Sequence, residues 1–365
     1  MNDFILKVVF IIPAYNPNQK LVKYVNELIE LGAQHIIVVN DGSEEKRKKY
    51  FEKLQLHKEC IIINHIINQG KGRALKTGFN YYLNNFDENN YIGVVTADSD
   101  GQHTAVDSVN IAKKLADCRD KLILGTRDFK CTHVPNKSKY GNIITTQIFK
   151  LLYGIKINDT QTGLRGINNK DIRRFLLLNG EKFDFEINML IMCATEYNKS
   201  HFVECSIQTI YEGNNNETHF RPVVDSFKIY LIMLKKFFVF GISGIISSVI
   251  DIGLFALLFS YVFEFQNIMI NIFLSTIVSR LISSTLNFIF NKKIVFKSNS
   301  TLKGLIIKYW ILCIIQMLTS AYLVYLIDTF ITNNTTLIKI CVDFILFFIS
   351  YKIQNELIFN TMGNV

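Results

Sequence analysis

Four long apolar runs fill the last third of the chain and constrain its fold more than any other feature. The runs cover residues 237–259, 268–290, 306–327 and 337–359. An α-helix rises about 1.5 Å per residue, so about 20 residues cross the hydrocarbon core of a bilayer. Each run is long enough for one crossing, and the sequence therefore predicts four transmembrane helices.

Basic residues lie on alternating sides of these runs and predict their orientation. Lys235 and Lys236 precede the first run, and four more lysines lie in the connection 291–305, whereas the other two connections contain no Lys or Arg. Because cytoplasmic loops of membrane proteins are rich in Lys and Arg, we expect both termini and residues 291–305 in the cytoplasm. The chain is then a multi-pass protein of the cell membrane, with its first two thirds cytoplasmic.

Ionisable side chains inside the apolar runs need a partner or a polar cavity at that depth. Asp251 and Arg280 are interpreted either as an interhelical ion pair or as contacts to a lipid headgroup, and the sequence leaves both open. Asp343 and Lys352 point to different faces of one helix and are not expected to pair.

Cysteine spacing and net charge exclude several classes of protein. The seven cysteines are scattered without a CxxC pair, which argues against a disulfide framework and against a structural zinc site. The net charge of +9 comes without an aromatic and basic nucleic-acid module, so no nucleic-acid partner is expected. Residues 224–236 combine apolar side chains with lysines, which is typical of an interfacial helix on an anionic leaflet. We interpret the positive charge as membrane contact.

The first two thirds of the chain alternate predicted strands and helices. Buried parallel strands are predicted at residues 8–12, 36–39, 61–64, 92–96 and 122–124, with amphipathic helices at 19–31, 44–55, 72–83 and 104–116. Such alternation predicts βαβ crossovers around a parallel sheet. Ligands of these sheets bind beyond the carboxyl ends of the strands, so the loops that follow the strands should form the site.

Each of the five predicted strands ends in a polar or glycine-rich loop. In chain order the loops read IPAYNP, NDGS, NQGKGRA, ADSDGQH and GTRDF. The Walker A and GxGxxG spacings are absent, and ADSDGQH lacks the glutamate that closes a calcium-binding EF-hand loop. Carboxylate and amide oxygens in this loop suit Mg²⁺ or Mn²⁺, which share their remaining ligands with substrate phosphates.

The order of these loops resembles that of family 2 glycosyltransferases with a GT-A fold, in which ADSDGQH matches the DxD metal motif. Two further stretches, DTQTGLRG (159–166) and GEKFDFE (180–186), resemble the branch that loads sugars onto polyprenyl phosphate. That branch includes dolichol-phosphate mannose synthases and undecaprenyl-phosphate glucosyltransferases. The apolar tail, with LNFIFNKKIVF (286–296) and SYKIQNELIF (350–359), is similar to the GtrA-like domain fused to some of them.

This resemblance implies three parts: an α/β GT-A (Rossmann-like) nucleotide-sugar-binding domain at 1–223, the interfacial helix at 224–236, and a GtrA-like four-helix membrane domain at 237–365. The implied activity is inverting transfer of a hexose from a UDP-sugar, or from GDP-mannose, to undecaprenyl or dolichyl phosphate for cell-surface glycan synthesis. A flippase for the lipid-linked sugar, or transfer to another lipid, is the alternative. A homo-oligomer is compatible with the sequence.

The resemblance also implies roles for individual residues. Nucleotide-binding residues would be Pro13, Tyr15, Val39, Asp41, Asp98, Ser99 and Asp100. Metal ligands would be Asp98, Asp100 and Gln102, and the residues at the reacting phosphates would be Arg127, Lys137, Asp159 and Arg221. Asp159 is either the catalytic or orienting carboxylate or, alternatively, a strand-end cap or a partner of Arg165. His103 is expected to be a helix-start residue.

Two departures from the family pattern bear on the donor and its phosphates. Lys137 stands where relatives usually carry Arg, and it offers a point charge instead of a planar fork. Pro17 stands where many mannose synthases have Glu. The second departure weakens the resemblance to the mannose branch, and the stretches DTQTG (159–163) and HFRP (219–222) favour a UDP-sugar over GDP-mannose.

Overall fold

The computed structural model describes residues 4–128, 136–197, 199–208, 222–263, 268–296, 298, 302–330 and 335–359. The chain divides into two compact units, Met1–Met233 and Leu234–Val365. The first unit contains a sheet flanked by helices, and the second is helical.

Strands and helices alternate through the first unit. In chain order the elements are β1 (Val8–Ala14), α1 (Gln19–Glu30), β2 (Ile36–Asp41), α2 (Lys48–Gln55), β3 (Cys60–His65), α3 (Lys71–Asn85), β4 (Gly93–Thr96), α4 (Ala105–Asp117), β5 (Leu122–Arg127), α5 (Asn136–Tyr153), β6 (Arg165–Asn168), α6 (Asn169–Phe175), α7 (Asp184–Glu196) and β7 (Phe202–Ile207). The five predicted strands and the four predicted helices are confirmed.

The seven strands form one mixed sheet in the order β3-β2-β1-β4-β6-β5-β7. The five predicted strands run in one direction, but β6 lies antiparallel between β4 and β5, and β7 pairs parallel with β5. Strands β6 and β7 were not predicted. Both carry charged residues, Arg165 in β6 and Glu204 in β7, which hide the apolar pattern of a buried strand.

Strand β1 is apolar along its whole length because helices cover both faces of the sheet at this strand. All seven residues of β1 are buried, as expected for a strand covered by helices on both sides. On one face, α1 packs Leu21, Val25 and Leu28, each fully buried, at the spacing of one helical stripe. On the other face, α3 approaches closely because Gly78 has no side chain, and a Cβ there would lie 2.6 Å from Ile11 Cγ2.

Long helices make up the second unit. They are α8 (Pro222–Leu257), which begins in the first unit, and α9 (Ile268–Phe290), α10 (Leu302–Phe330) and α11 (Thr335–Ile353). Three stretches are long and apolar enough to cross a membrane: Phe227–Val262, Ile268–Val295 and Gly304–Ile327. The fourth predicted run forms α11, which carries Lys339, Asp343 and Lys352 and is not among these three. The four-span topology therefore stays a prediction.

Three described helices, α8, α9 and α11, end in a π-helical turn, and the turns after α9 and α11 contact each other. Asn291–Val295 follows α9 and Gln354–Ile358 follows α11. In each turn the backbone N–H of the next residue, Phe296 or Phe359, donates to the carbonyl of the first residue at 2.8 Å. The two turns also meet. The Asn291 amide donates to Gln354 at 3.0 Å, and the two phenylalanine rings stack with centroids 4.9 Å apart.

Polar side chains extend this contact to the other two helices. Ser243 of α8 bonds Asn291 at 2.6 Å, and Gln354 donates to Ser350, which donates to Gln316 of α10. Hydrogen bonds of this kind connect helices where no water is present.

The ionisable residues inside the first two apolar runs, Asp251 and Arg280, pair with each other. Arg280 lies 3.2 Å from Asp251, which also accepts from Ser283. This arrangement is the interhelical ion pair that the sequence left open.

Candidate active site at the carboxyl ends of the strands

The loops after β1 and β2 are joined side by side at the carboxyl edge of the sheet. Pro13 and Val39, both buried, are register partners in these strands, and half-buried Tyr15 follows β1. Asn16 adopts a positive φ of 49°, its N–H donates to Ser43 Oγ at 2.9 Å, and its side-chain oxygen accepts from Glu44 N at 2.9 Å. Three of the predicted nucleotide-binding residues thus lie together on one edge.

Asp41 holds the third loop against the second strand. Its carboxylate accepts the backbone N–H groups of Gln69 at 2.9 Å and Gly70 at 2.8 Å, and His65 Nδ1 lies 2.7 Å from Oδ1. The side chain of Asp41 is 3 % exposed. Asp41 therefore stabilises the loop at Gln69 and Gly70, a role that the sequence did not predict. The contact of Asp41 with a nucleotide base stays a prediction.

A lysine lies between two carboxylates after β4. Lys71 Nζ, at the start of α3, is 2.6 Å from Asp98 Oδ1 and 3.0 Å from Glu186 Oε2 in the first turn of α7. Burial alone would lower the pKa of Lys71, but the two carboxylates outweigh it and raise that pKa above its usual 10.5. Burial likewise opposes ionisation of Asp98, yet Lys71 and His103 hold its pKa well below 3.8. Neither Lys71 nor its contact with Glu186 was predicted from the sequence.

The remaining residues of ADSDGQH form the turn that follows Asp98. Asp100 Oδ1 accepts the backbone N–H of Gln102 at 3.0 Å, and half-buried Ser99 lies between the two aspartates. Gly101 has a φ of 80°, which favours glycine, and a Cβ there would lie 2.9 Å from Lys20 Cδ. Burial and the nearby Asp98 carboxylate raise the pKa of Asp100. The donor set of this turn, two carboxylates and an amide oxygen, suits a divalent cation of the Mg²⁺ or Mn²⁺ kind.

His103 lies against the same aspartate. Its Nε2 is 3.6 Å from Asp98 Oδ2, and its Nδ1 is buried with no hydrogen-bond partner among the described residues. The next residue, Thr104, caps α4 by accepting from Asp107 N at 3.0 Å. His103 therefore lies just before the helix start, as expected, and its ring also lies at the site.

Arg127 and Asp159 form a two-pronged ion pair. Arg127 Nε donates to Oδ2 at 2.6 Å and Nη2 donates to Oδ1 at 2.9 Å, while Asp159 is fully buried. The alternative pairing of Asp159 with Arg165 is wrong. Arg165, also fully buried, donates instead to the carbonyl oxygens of Thr162 at 2.9 Å and Glu186 at 2.8 Å.

One short segment, residues 159–165, connects these groups. Asp159 at its start holds Arg127, and Arg165 at its end holds the backbone of Glu186. Between them, Gly163 accepts from Thr96 Oγ1 at 2.9 Å, and any Cβ on Gly163 would overlap the Asp98 carboxylate. The segment therefore fixes the arginine after β5 relative to the aspartate after β4.

Two predicted residues cannot be placed. Lys137 belongs to the first turn of α5, and its side chain lies outside the described part of the chain. Arg221 lies outside the described residues altogether. Their roles stay predictions.

A cavity of about 320 Å³ lies beside Lys71 and was not predicted. It is lined by Gly180, Glu181, Lys182, Phe183, Asp184 and Lys228. Lys71 Nζ lies 5.8 Å from the centre of the Phe183 ring, and Gly72 leaves no space for a Cβ against the Glu181 and Lys182 backbone. The stretch GEKFDFE was the signal in the sequence, but its contacts with the NQGKGRA loop required the fold.

Comparison with known proteins identifies both units. The model of glycosyl transferase family 2 matches residues 9–176, and that of the GtrA/DPMS transmembrane domain matches residues 239–359. The chain is a glycosyltransferase with a family 2 domain of the GT-A fold and a GtrA-type membrane domain, as the resemblance implied.

Two curated relatives of this glycosyltransferase are named for dolichyl phosphate. A UDP-N-acetylglucosamine--dolichyl-phosphate N-acetylglucosaminyltransferase of Methanococcus voltae is 29% identical over 62% of this chain and 96% of its own length. A dolichyl-phosphate beta-glucosyltransferase of Trichomonas vaginalis is 26% identical over 51% of this chain and 61% of its own length.

Proposed function

We propose that this glycosyltransferase moves a hexose from a UDP-sugar to polyprenyl phosphate, with inversion, on the cytoplasmic face of the membrane. The observation that carries the proposal is the position of segment 159–165. This segment contacts both Arg127, which the resemblance implies binds phosphate, and Asp98 of the DxD motif. The membrane domain and the names of the two dolichyl-phosphate relatives support a polyprenyl phosphate acceptor.

The donor would lie on the edge formed by the loops after β1, β2 and β4. Pro13, Tyr15 and Val39 would contact the base, while Asp41 would hold the loop 68–70 beside it. Asp100 and Gln102, with Asp98 beside them, would hold Mg²⁺ or Mn²⁺, which supplies positive charge to the departing diphosphate when bound. Lys71 adds a fixed positive charge next to Asp98.

The transfer needs no strong base. A phosphate monoester has its second pKa near about 6, so the acceptor is largely a dianion at neutral pH. An oxygen of that phosphate would attack the anomeric carbon from the side opposite the diphosphate. The new carbon–oxygen bond forms as the bond between the sugar and the diphosphate breaks. The electron pair of the broken bond leaves with the diphosphate. Arg127 would stabilise that leaving charge, and buried Asp159 would orient Arg127 rather than accept a proton.

The acceptor phosphate would enter through the cavity beside Lys71. Lys182 and Lys228 supply positive charge at its wall, Glu181 and Asp184 supply negative charge, and Phe183 supplies an apolar surface. Glu181 is already paired with Arg73 and Lys76, so an anionic headgroup with an apolar chain would pair with the two lysines and pack on Phe183.

A membrane assay tests the proposal. Radiolabelled UDP-glucose, UDP-N-acetylglucosamine and GDP-mannose are each offered with undecaprenyl phosphate and Mn²⁺, and we expect a mild-acid-labile lipid product from one UDP-sugar. Asp100→Asn should lower the rate at least about 100-fold because it removes charge from the metal set, whereas exposed Asp117→Asn on α4 should not. An acid-stable glycolipid would show a different acceptor, and full activity of Asp100→Asn would contradict the metal assignment.

A further inference from the structure

A second group of ligand-type side chains is buried away from the donor loops. Asp171 in α6, Cys193 in α7 and His201 just before β7 bring one oxygen, one sulfur and one nitrogen within 4.8 Å of one another. Asp171 and Cys193 are fully buried and His201 is 6 % exposed. Three separate elements thus converge on one point inside the protein.

The strand register places this group at the opposite edge of the sheet from the donor site. Asn168, the last residue of β6, pairs with Gly93, the first residue of β4. Phe202, which follows His201, pairs with Leu122 at the start of β5. The donor loops follow the other ends of these strands. The cluster is therefore not part of the site described above.

The hydrogen bonds of good geometry to Asp171 involve only one of its two carboxylate oxygens. Oδ2 lies 2.8 Å from His201 Nε2 and accepts from Asn168 Nδ2 at 2.9 Å. Oδ1 is buried and forms no hydrogen bond of good geometry with a described residue, although the Tyr197 hydroxyl interacts with this carboxylate. A buried carboxylate oxygen without a hydrogen bond of good geometry is costly, and a bound cation would remove that cost.

The mixture of donor atoms selects the kind of cation. Thiolate sulfur and imidazole nitrogen are preferred by Zn²⁺, which also accepts carboxylate oxygen, whereas Mg²⁺ takes oxygen ligands. The predicted ligands of the DxD turn, Asp98, Asp100 and Gln102, offer oxygens alone. The two sites therefore differ in the ions they select.

We propose that Asp171, Cys193 and His201 form a zinc site that ties α6, α7 and the start of β7 together. Binding would displace the thiol proton and the proton shared by His201 and Asp171. The alternative is an Asp–His pair with Cys193 as a packing residue. Because Cys193 lies two turns along α7 from Glu186, the ion would anchor the far end of the helix that contacts Lys71.

Cobalt substitution in the full-length, tag-free protein in detergent tests the proposal. After metal removal, one equivalent of Co²⁺ should produce a thiolate-to-cobalt charge-transfer band in the near ultraviolet. Cys193→Ser should abolish the band, while Cys118→Ser and Cys205→Ser, at half-buried thiols, should retain it. Asp100→Asn should also retain it, which separates this site from the DxD turn.

A second measurement covers the case in which Cys193→Ser does not fold. His201→Gln keeps the thiol and should weaken Co²⁺ binding by about tenfold or more, and Zn²⁺ should raise the Tm of the wild-type protein more than that of His201→Gln. A wild-type protein without a thiolate band, or a band that persists in folded Cys193→Ser, would overturn the zinc site and leave the Asp–His pair as the explanation.

Discussion

Arg127 holds Asp159 with both prongs of its guanidinium, at 2.6 and 2.9 Å, while Asp159 has no exposed surface. The two residues are far apart in the sequence, and both were predicted to act at the reacting phosphates. In the proposed mechanism this pairing gives the aspartate an orienting role and makes the arginine the group that contacts phosphate.

Arg127→Lys should therefore lower kcat by about 10- to 100-fold with a small change in KM for the donor, because lysine cannot reproduce the fork. Asp159→Asn should lower kcat by a similar factor, and the double variant should be no worse than the poorer single variant. Steady-state kinetics on the three variants measures this. Arg173→Lys, at an exposed pair with Glu88, is the control. Additive losses would contradict the orienting role.

Gly163→Ala should impair binding of the metal more than folding. The added Cβ would overlap the Asp98 carboxylate, so the aspartate must move. We expect the Mn²⁺ concentration for half-maximal activity to rise about tenfold or more. Gly141→Ala on α5 is the control, since nothing lies within 4 Å of its Cβ. An unchanged Mn²⁺ dependence in Gly163→Ala would show that Asp98 is remote from the ion.

Lys71→Met should destabilise the protein by about 3–5 kcal/mol, because it leaves Asp98 and Glu186 facing each other without a cation. Exposed Lys53→Met should have little effect.

The pH dependence of this loss has a defined sign. The pKa of Lys71 is raised, so its contribution is complete below its unfolded value of 10.5 and is lost only above it. The pKa of Asp98 is lowered, so its contribution is complete above 3.8 and is lost as the pH falls below that value. In Lys71→Met the two neighbouring carboxylates should take up a proton as the pH falls, which relieves part of their repulsion. The Tm difference between wild type and Lys71→Met should therefore be constant from about pH 7 to pH 9 and become smaller towards pH 5. A Tm difference close to zero between pH 7 and pH 9 would contradict the pair.

Sequence patterns predicted the sheet where apolar runs were long and continuous. β1 and β2 are such runs, whereas β6 contains a buried arginine and was not predicted. The loops of the site were predicted because ligand-binding residues follow strands in this fold class. The contact between Lys71 and Glu186 was not predicted, because it joins segments that are distant in the sequence. The cluster that contains Cys193 and His201 was not predicted for the same reason, because these residues show no metal-binding spacing in the sequence.

The paired π-helical turns of the membrane unit should be energetically coupled. Asn291→Ala and Gln354→Ala each remove the same hydrogen bond, so the double variant should lose less stability than the sum of the single variants. We expect a coupling of about 0.5–1.5 kcal/mol in detergent. Exposed Ser248, which bonds only within its own helix in the described structure, provides the uncoupled control through Ser248→Ala with Asn291→Ala. Strict additivity for Asn291 and Gln354 would show that the two turns do not support each other.

Reporter fusions test the orientation of the second unit, including α11, whose charges set it apart from the three clear spans. The lysines of residues 291–305 predict a cytoplasmic loop, and the absence of Lys and Arg from 328–336 predicts an outside loop. A fusion after Ser298 should therefore give cytoplasmic reporter activity, and a fusion after Asn334 should give activity outside. A fusion at the C-terminus should again be cytoplasmic if α11 crosses the membrane. Outside activity there, with the other two fusions as predicted, would show that α11 lies on the membrane instead of spanning it.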